Sequence, residues 1–302
     1  MLFHVESDIA VYLGILINQK TDGTIVIWQE SFAKWIVSAL FLDDPKIKPC
    51  RTPATNYLKI DENREKAAGL YNYASIVRML NCLQWHSCID ISLAVSQVAR
   101  YVHSPKCSHE IALERIGSYL KGTSDKGLIL QPVPLKDQYN INIYVDAAFT
   151  SGWGTELGTN PDSVKSQTRY IIEVVGCAVV WCSKLQTCIA ISTMDSEYTA
   201  LSMTLHAVIP LLNICNAINK GLNVFASKLV MFKATVHEDK MGALNLAKLE
   251  EGRHTPRSKF YALKLYWFQS WWKRSEIKIV HCDTKDQKAD FLTKPIMATI
   301  EF

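Results

Sequence analysis

The first part of the chain has a pattern of apolar and polar positions that predicts a short β-hairpin followed by helices. Two β-rich runs, residues 11–18 and 24–29, flank an Asp22-Gly23 pair, and this arrangement is typical of a hairpin. Residues 43–66 are polar and contain three prolines, which predicts a loop. Apolar residues at helical spacing predict helices over four ranges: 30–41, 72–85, 89–103 and 108–121.

A different pattern, of short apolar strands around one long helix, follows a turn-rich connection at residues 121–140. Residues 141–145 alternate as a strand in which Ile141, Ile143 and Val145 share one face. Further strands are predicted over 170–183, as a pair joined near Gly176, and over 187–192, 228–238 and 277–282. Helices are predicted over 195–219, 240–249, 257–273 and 286–293. Because strands and helices are interspersed, we expect a mixed α/β layer fold with a sheet covered by helices.

The composition fits a folded chain of two domains, which we predict as residues 1–135 and 136–302. Of the 302 residues, 48% are apolar and 21% are charged, which supplies a core and argues against disorder. The net charge of +4 is too small to indicate a nucleic-acid partner and excludes none. No apolar run approaches about 18 residues without charge, so no membrane partner is expected. The nine cysteines are odd in number and include no C-x-x-C pair, which indicates an intracellular protein, cytoplasmic or nuclear, rather than a secreted one.

Four acidic residues stand at the ends of predicted strands or within predicted helices: Asp146, Glu197, Asp239 and Asp290. Glu197 lies in the first turn of the long helix, which Ser192 and Asp195 start through the spacing of a capping box. If the four carboxylates converged, they would repel one another unless a cation neutralised them. Magnesium prefers oxygen ligands, and two metal ions about 4 Å apart can activate a water and stabilise the leaving oxygen of a phosphodiester. The alternative is a set of ordinary strand-end and helix-cap acids, because spacing alone does not show that they meet.

Five short motifs occur in a fixed order in the second domain: YVDAAF, WCSKLQT, STMDSEYTAL, HED followed by GALNLA, and DQKADFLTKP. Together they resemble the ribonuclease H domain at the end of copia-type LTR-retrotransposon polyproteins. Upstream, YLGILI, PATNYL, YNYASIV and YLKGTSDKGL are similar to the region that follows the polymerase palm of the same polyproteins. The resemblance implies a ribonuclease H-like mixed sheet flanked by helices over 136–302. It implies that a smaller, mostly helical domain with a β-hairpin precedes it over 1–135, as a remnant of the thumb- or connection-like end of the reverse transcriptase.

The same resemblance implies a function for the second domain, namely hydrolysis of the RNA strand of RNA–DNA hybrids with two magnesium ions, or Mn²⁺ in their place. The catalytic acids and metal ligands that it implies are Asp146, Glu197, Asp239 and Asp290. Residues expected to line the hybrid groove, through phosphate contact and base stacking, are Trp181, Lys184 and Gln186. Trp181 has the alternative role of packing against the sheet. The polymerase motif Y-x-D-D does not occur in the chain, so no polymerase activity is expected from it.

Three departures from the family pattern leave a second interpretation open. The usual D-A-D-W is D-A-A-F here, so Ala148 replaces an acid, and Lys240 directly follows Asp239 where a neutral asparagine is usual. A segment that usually carries a histidine has Phe260 instead. The alternative to an active nuclease is therefore a catalytically decayed relic that keeps the fold and binds nucleic acid weakly at most. An unrelated α/β interaction domain is a third interpretation. Convergence of the four carboxylates discriminates the nuclease from both, and no protein partner follows from the sequence.

Overall fold

The computed structural model describes residues 11–12, 14–59, 65–134, 138–150, 161–222, 231–247 and 277–292. The described residues form two compact units that divide between Pro132 and Val133, here called the N-terminal unit and the C-terminal unit. The predicted helix over 257–273, with Phe260, lies outside the described residues.

The N-terminal unit contains the predicted hairpin, extended on both sides into a four-stranded antiparallel sheet. Its strands, in spatial order, are β1 (Val11–Tyr12), β2 (Ile15–Gln19), β3 (Ile25–Trp28) and β4 (Leu128–Leu130). The hairpin prediction is confirmed, because β2 pairs with β3 around a turn in which Gly23 adopts a φ of 86° that favours glycine. The side chain of Asp22 accepts a 2.9 Å hydrogen bond from the backbone N–H of Thr24 and completes the turn.

The helices of the N-terminal unit pack around one apolar core. They are α1 (Glu30–Ala39), α2 (Tyr73–His86), α3 (Ser92–Val98) and α4 (Cys107–Lys121). The fully or nearly fully buried side chains at the centre of this core include Ile36, Leu80, Leu83, Val95, Leu113 and Ile116. The single helix predicted over 89–103 is wrong in detail, since α3 is short and lies between two 3₁₀ turns. Tyr119 of α4 donates a 2.5 Å hydrogen bond to Asp90, which fixes the first of these turns against α4.

The C-terminal unit contains a five-stranded mixed sheet. Its strands are β5 (Gln138–Ala148), β6 (Gln167–Val174), β7 (Cys177–Leu185), β8 (Met231–Glu238) and β9 (Ile277–His281), and their spatial order is β7-β6-β5-β8-β9. β6 runs antiparallel to both of its neighbours, β5 and β7, whereas β8 and β9 run parallel to β5. As predicted, β6 and β7 join near Gly176, where Val175 and Gly176 have φ angles of 55° and 84°. Two positive φ angles in succession are typical of a tight hairpin turn.

The long helix α5 (Thr193–Leu222) covers one face of this sheet. Ile141, Ile143 and Val145 of β5 point into the core as their alternation predicted, and all three are fully buried. The residues of α5 that pack against them include Leu201, Leu205, Val208 and Leu212. The predicted helix start is also confirmed, because the N–H of Asp195 donates to Ser192 Oγ at 3.1 Å and its carboxylate accepts from the N–H of Ile191 at 3.0 Å.

One segment of α5 corrects the expectation that no long apolar run occurs. Within the described part of the chain, Thr193–Ile218 is the one helical segment long and apolar enough to cross a membrane, judged by length and composition alone. A core helix of a folded domain passes the same test. Since the inner side of α5 is buried against the sheet, we assign the helix to the core of the C-terminal unit.

The described part of the C-terminal unit also contains smaller elements. One predicted element of this unit is wrong. The helix α6 (Met241–Ala247) follows β8, and a 3₁₀ helix over Lys288–Leu292 takes the place of the helix predicted at 286–293. The strand predicted over 187–192 is an irregular connection instead. Its residues 188–191 are all apolar, but Ile191 is 72% exposed, and the Asp195 carboxylate binds the N–H that a strand neighbour would need.

Candidate active site

Three of the four predicted acids meet at one edge of the C-terminal sheet. Asp146 lies near the end of β5, Asp239 directly follows β8, and Glu197 lies in the first turns of α5. Because β5 and β8 are parallel neighbours, their carboxyl ends reach the same edge, and the start of α5 lies beside them. One carboxylate oxygen from each residue lies within 4.8 Å of the others. This spacing allows the three groups to bind one cation together.

Asp290, the fourth predicted acid, is close to this group without being part of it. It lies in the 3₁₀ helix Lys288–Leu292 and is half-buried. Its oxygens are not among the set that lies within 4.8 Å. Its negative charge nevertheless contributes to a raised pKa of Asp146, after burial, which is the main cause. Asp290 therefore lies at the rim of the site.

The three central carboxylates are buried and incompletely hydrogen-bonded. Glu197 is 2% exposed and Asp146 7% exposed, while the side chain of Asp239 is 2% exposed. Among the described residues, no group donates a hydrogen bond to Glu197 Oε2 or to Asp239 Oδ1. Buried carboxylate oxygens without donors are costly in the free energy of folding. A divalent cation is the ligand that would satisfy several of them at once.

A fourth buried carboxylate, Glu238, adjoins the group and was missed in the sequence analysis. It is fully buried, its Oε1 accepts the N–H of Lys240 at 3.1 Å, and its Oε2 accepts no hydrogen bond within the described residues. The only sequence signal is its position directly before Asp239 at the end of a strand. We define the carboxylate cluster as Asp146, Glu197, Glu238 and Asp239.

Arg169, a fully buried arginine, is the second residue that the sequence analysis missed. It lies in β6 directly opposite Asp146 of β5, and its Nη1 is 3.6 Å from Asp146 Oδ2. Residues 149–166 separate the two strands, so spacing along the chain does not reveal this pairing. The register of β5 against β6 creates it.

Burial dominates the electrostatics of the carboxylate cluster. Burial raises the pKa of Glu197, and the negative charge of Glu238 raises it further. Burial is also the main cause of the raised pKa of Glu238. Burial also raises the pKa of Asp146, although the Arg169 guanidinium acts in the opposite direction. In the absence of a cation, Glu197 and Glu238 therefore retain their protons to a higher pH than ordinary carboxylic acids do.

A second cation, Lys240, contacts the cluster from the solvent side. Its Nζ lies 3.0 Å from Asp239 Oδ2, and the same oxygen accepts a 3.2 Å hydrogen bond from Thr284 Oγ1. This contact with Asp239 is the main cause of a raised pKa of Lys240. The lysine side chain remains 50% exposed, so its ammonium can move into water. Ala148, where the family pattern has an acid, is half-buried at the end of β5.

The three residues predicted to contact nucleic acid have different surroundings. Lys184 in β7 is exposed, and Trp181 in the same strand is half-buried. Gln186 is buried, and its side-chain amide donates to Thr168 Oγ1 at 3.1 Å and to the carbonyl of Ser196 at 2.8 Å. These bonds tie the end of β7 to the start of α5, which gives Gln186 a structural role and leaves Lys184 as the accessible one.

We expect the metal-free protein to become less stable as pH rises from about 5 to about 8. Glu197 and Glu238 have pKa values raised from 4.5 in the folded state, to about 8 for Glu238. The unfolded chain releases these protons near pH 4.5, whereas the folded chain keeps them, so stability is fully present below that pH and declines above it. At 1.36 kcal/mol for each pKa unit, the raised pKa of Glu238 alone corresponds to an expected loss of roughly 4 kcal/mol over this range. Thermal unfolding in a chelator at several pH values measures it.

Glu238→Gln is the matched control for this pH dependence, since glutamine has nearly the same shape and does not titrate. The variant should have a flatter stability profile than the wild type over the same pH range. Parallel profiles for the two proteins would contradict the assignment of the effect to this carboxylate cluster.

In the C-terminal unit, α5 covers one face of a five-stranded mixed sheet in which β8 and β9 run parallel to β5. The carboxylate cluster lies where parallel strand ends meet the start of the helix. The predicted fold class, a mixed sheet flanked by helices and preceded by a smaller, mostly helical unit with a hairpin, is confirmed.

Comparison with known proteins finds similarity over nearly the whole chain. The chain is 25% identical over 293 residues to a retrovirus-related Pol polyprotein of transposon TNT 1-94 from Nicotiana tabacum, a match that covers 93% of the chain. It is 28% identical over 250 residues to the corresponding polyprotein of transposon RE2 from Arabidopsis thaliana, which covers 82% of the chain. These matches confirm the predicted resemblance to a copia-type retrotransposon polyprotein. The chain spans only 20% and 16% of the length of these relatives.

The chain was also compared with family models and with solved structures. No family model matches the chain. Among solved structures, the chain is similar to LC11-RNase H1 in complex with an RNA/DNA hybrid, with 18% sequence identity and a TM-score of 0.30, over 50% of this chain and 92% of that one.

Proposed function

We propose that the C-terminal unit is a metal-dependent ribonuclease H that hydrolyses the RNA strand of RNA–DNA hybrids. The observation that carries the proposal is the convergence of Asp146, Glu197 and Asp239 within 4.8 Å at one edge of the sheet. The similarity to retrotransposon polyproteins supports the choice of nucleic acid as substrate.

A divalent cation fits the residues of this site. Glu197 Oε2 and Asp239 Oδ1 are buried oxygens without hydrogen-bond donors among the described residues, and hard cations prefer such ligands. We propose Asp146, Glu197 and Asp239 as the ligands, with Asp290 at the rim, for two Mg²⁺ ions or for Mn²⁺ in their place. When bound, the metal ions would supply an activated water and stabilise the leaving oxygen of the phosphodiester.

The residues of the chain itself would orient and select the substrate. The carboxylate cluster is largely buried, and electrostatic interactions are stronger in such surroundings than in water. Lys184 is exposed on β7 and is suited to contact a phosphate of the backbone. Gln186 holds the start of α5, and thereby the carboxylate of Glu197, against the sheet.

The direct test is cleavage of a hybrid whose RNA strand is labelled, with and without magnesium. We expect cleavage of the RNA strand of the hybrid, none of the DNA strand, and none in a chelator. Single-stranded RNA and a DNA duplex of the same sequence serve as substrate controls. Magnesium-dependent cleavage of all these substrates alike would contradict the proposed specificity, and no cleavage of any would contradict the proposed activity.

A second candidate is a catalytically decayed relic of the same fold. Lys240 favours it, because its ammonium lies 3.0 Å from a carboxylate that the active enzyme would need for a metal ion. Ala148 also favours it, since an acid is usual there. The two candidates differ in the cleavage assay, whereas both permit binding of the hybrid.

Lys184→Ala is expected to weaken hybrid binding by a similar factor for all sequences, because a phosphate contact carries no sequence information. The change should also reduce the salt dependence of binding, by about one counterion in the slope of log affinity against log salt concentration. Fluorescence anisotropy of labelled hybrids at several salt concentrations measures both effects. Lys278→Ala, at an exposed position of β9, is the matched control for loss of one positive charge. An unchanged salt slope in Lys184→Ala would remove this residue from the proposed interface.

For the N-terminal unit we propose an origin in the end of a reverse transcriptase. The supporting observation is that the similarity to the tobacco polyprotein extends over 93% of the chain and therefore includes this unit.

A further inference from the structure

A buried positive charge, Arg169, lies beside the carboxylate cluster, and the proposed chemistry does not use it. Arg169 is 0% exposed, and its Nη1 lies 3.6 Å from Oδ2 of Asp146. An arginine side chain stays protonated in proteins, so a buried guanidinium must be balanced by a nearby negative charge. Asp146, its partner across β5 and β6, supplies that charge.

The guanidinium is buried but only loosely bound to the carboxylate. Paired arginine and carboxylate groups with good geometry make two hydrogen bonds of about 2.7–2.9 Å. Here the distance to Asp146 is 3.6 Å, and Arg169 Nη2 donates a 3.3 Å hydrogen bond to Gln167 Oε1 instead. Gln167 in turn donates to Ser183 Oγ at 2.9 Å, so it links the arginine to β7. Arg169 thus neutralises Asp146 by proximity and leaves its oxygens accessible to another cation.

We propose that Arg169 is the resident counter-ion of the cluster, which balances Asp146 in the metal-free protein and competes with a divalent cation for that carboxylate. This inference rests on the proposed metal site. Arg169 is a positioning residue, since it acts through Asp146 and touches no reacting atom. Lys240 differs from it, because the lysine side chain is half exposed and can turn into water, whereas the arginine is enclosed.

The competition predicts that loss of the arginine tightens metal binding. Calorimetric titration with MgCl₂ and with MnCl₂ should give an affinity roughly tenfold higher for Arg169→Gln than for the wild type, a conservative value for unit charges within 4 Å near a protein surface. Arg169→Lys should fall between the two, because a shorter ammonium lies farther from Asp146. Lys278→Gln removes an exposed charge from the same sheet and should bind the metal as the wild type does.

A second measurement without metal separates the counter-ion from a general packing role. In a chelator, Arg169→Gln should lower the thermal unfolding midpoint, because Asp146 is left buried without its partner. In the Asp146→Asn background the same change should cost much less, since the negative charge is already gone. This double-mutant cycle measures the coupling between the two side chains directly. A purely structural arginine would cost the same in both backgrounds.

The outcomes distinguish this inference from the proposed function. Equal metal affinity in the wild type and in Arg169→Gln, or weaker binding in the variant, would overturn the competition while leaving the metal site intact. If none of the wild type, Arg169→Gln and Arg169→Lys binds a divalent cation, the proposed metal-dependent function fails together with the competition. If Arg169→Gln does not fold, Arg169→Lys carries the comparison, and wild-type affinity in that variant overturns the inference.

Discussion

Replacing Asp146 by asparagine is expected to reduce cleavage of an RNA–DNA hybrid by roughly a hundredfold or more. Metal-bound groups contribute several kcal/mol of transition-state stabilisation, and each 1.36 kcal/mol corresponds to a factor of ten in rate. The asparagine would keep the size of the side chain at the end of β5 and remove its charge. Initial rates with a labelled hybrid at saturating magnesium measure the effect.

The same variant should still fold. Removing one negative charge relieves repulsion within the cluster, although Arg169 then loses its partner, and the two effects oppose each other. Circular dichroism and thermal unfolding check the fold. Asp162→Asn, at an exposed position in the C-terminal unit, is the matched control and should retain full activity. Undiminished cleavage by the folded Asp146→Asn protein would refute the assignment of this site.

Leu205→Ala is expected to lower the free energy of unfolding of the C-terminal unit by about 2–5 kcal/mol. Leu205 lies on the inner side of α5, is 1% exposed, and belongs to the core formed with β5 and β8. Truncation leaves a cavity between helix and sheet, where closely packed neighbours relax only in part. Because many domains are stable by about 5–15 kcal/mol, this is a large share of the total. Urea denaturation measures it.

Leu205→Met is the control for this prediction, since it nearly conserves volume and should cost less than about 1.5 kcal/mol. We expect hybrid cleavage by Leu205→Ala to recover at low temperature, where the folded fraction is restored, because the change does not touch the carboxylate cluster. Equal stability of the alanine and methionine variants would contradict the packing of α5 on the sheet.

Those parts of the site that depend on local pattern were predictable from the sequence. The alternation of Ile141, Ile143 and Val145 identified the central strand, and the capping spacing at Ser192 identified the start of α5. The resemblance to the family motifs identified Asp146, Glu197, Asp239 and Asp290, of which the structure brings the first three within 4.8 Å. Their catalytic and metal-binding roles remain predictions.

Features that depend on contacts between distant strands were not predictable in the same way. Arg169 reaches Asp146 only through the register of β5 against β6, and short-range spacing carries no information on that register. The false strand at 187–192 shows the opposite error, because the apolar run that includes Ile189 and Ile191 has no partner strand among the described residues. The short strand β4 was likewise hidden in a segment that looked like a connection.

The start of α5 has a consequence for how the site assembles. Glu197 lies directly after the first turn of this helix, which Ser192 and Asp195 cap. Helix ends are the parts of a helix that open most easily. Fraying of this end of the helix would carry Glu197 out of the cluster. A cation that bridges Glu197 to Asp146 and Asp239 would oppose it, so the first turn of α5 would be ordered by the same ligand that the site binds.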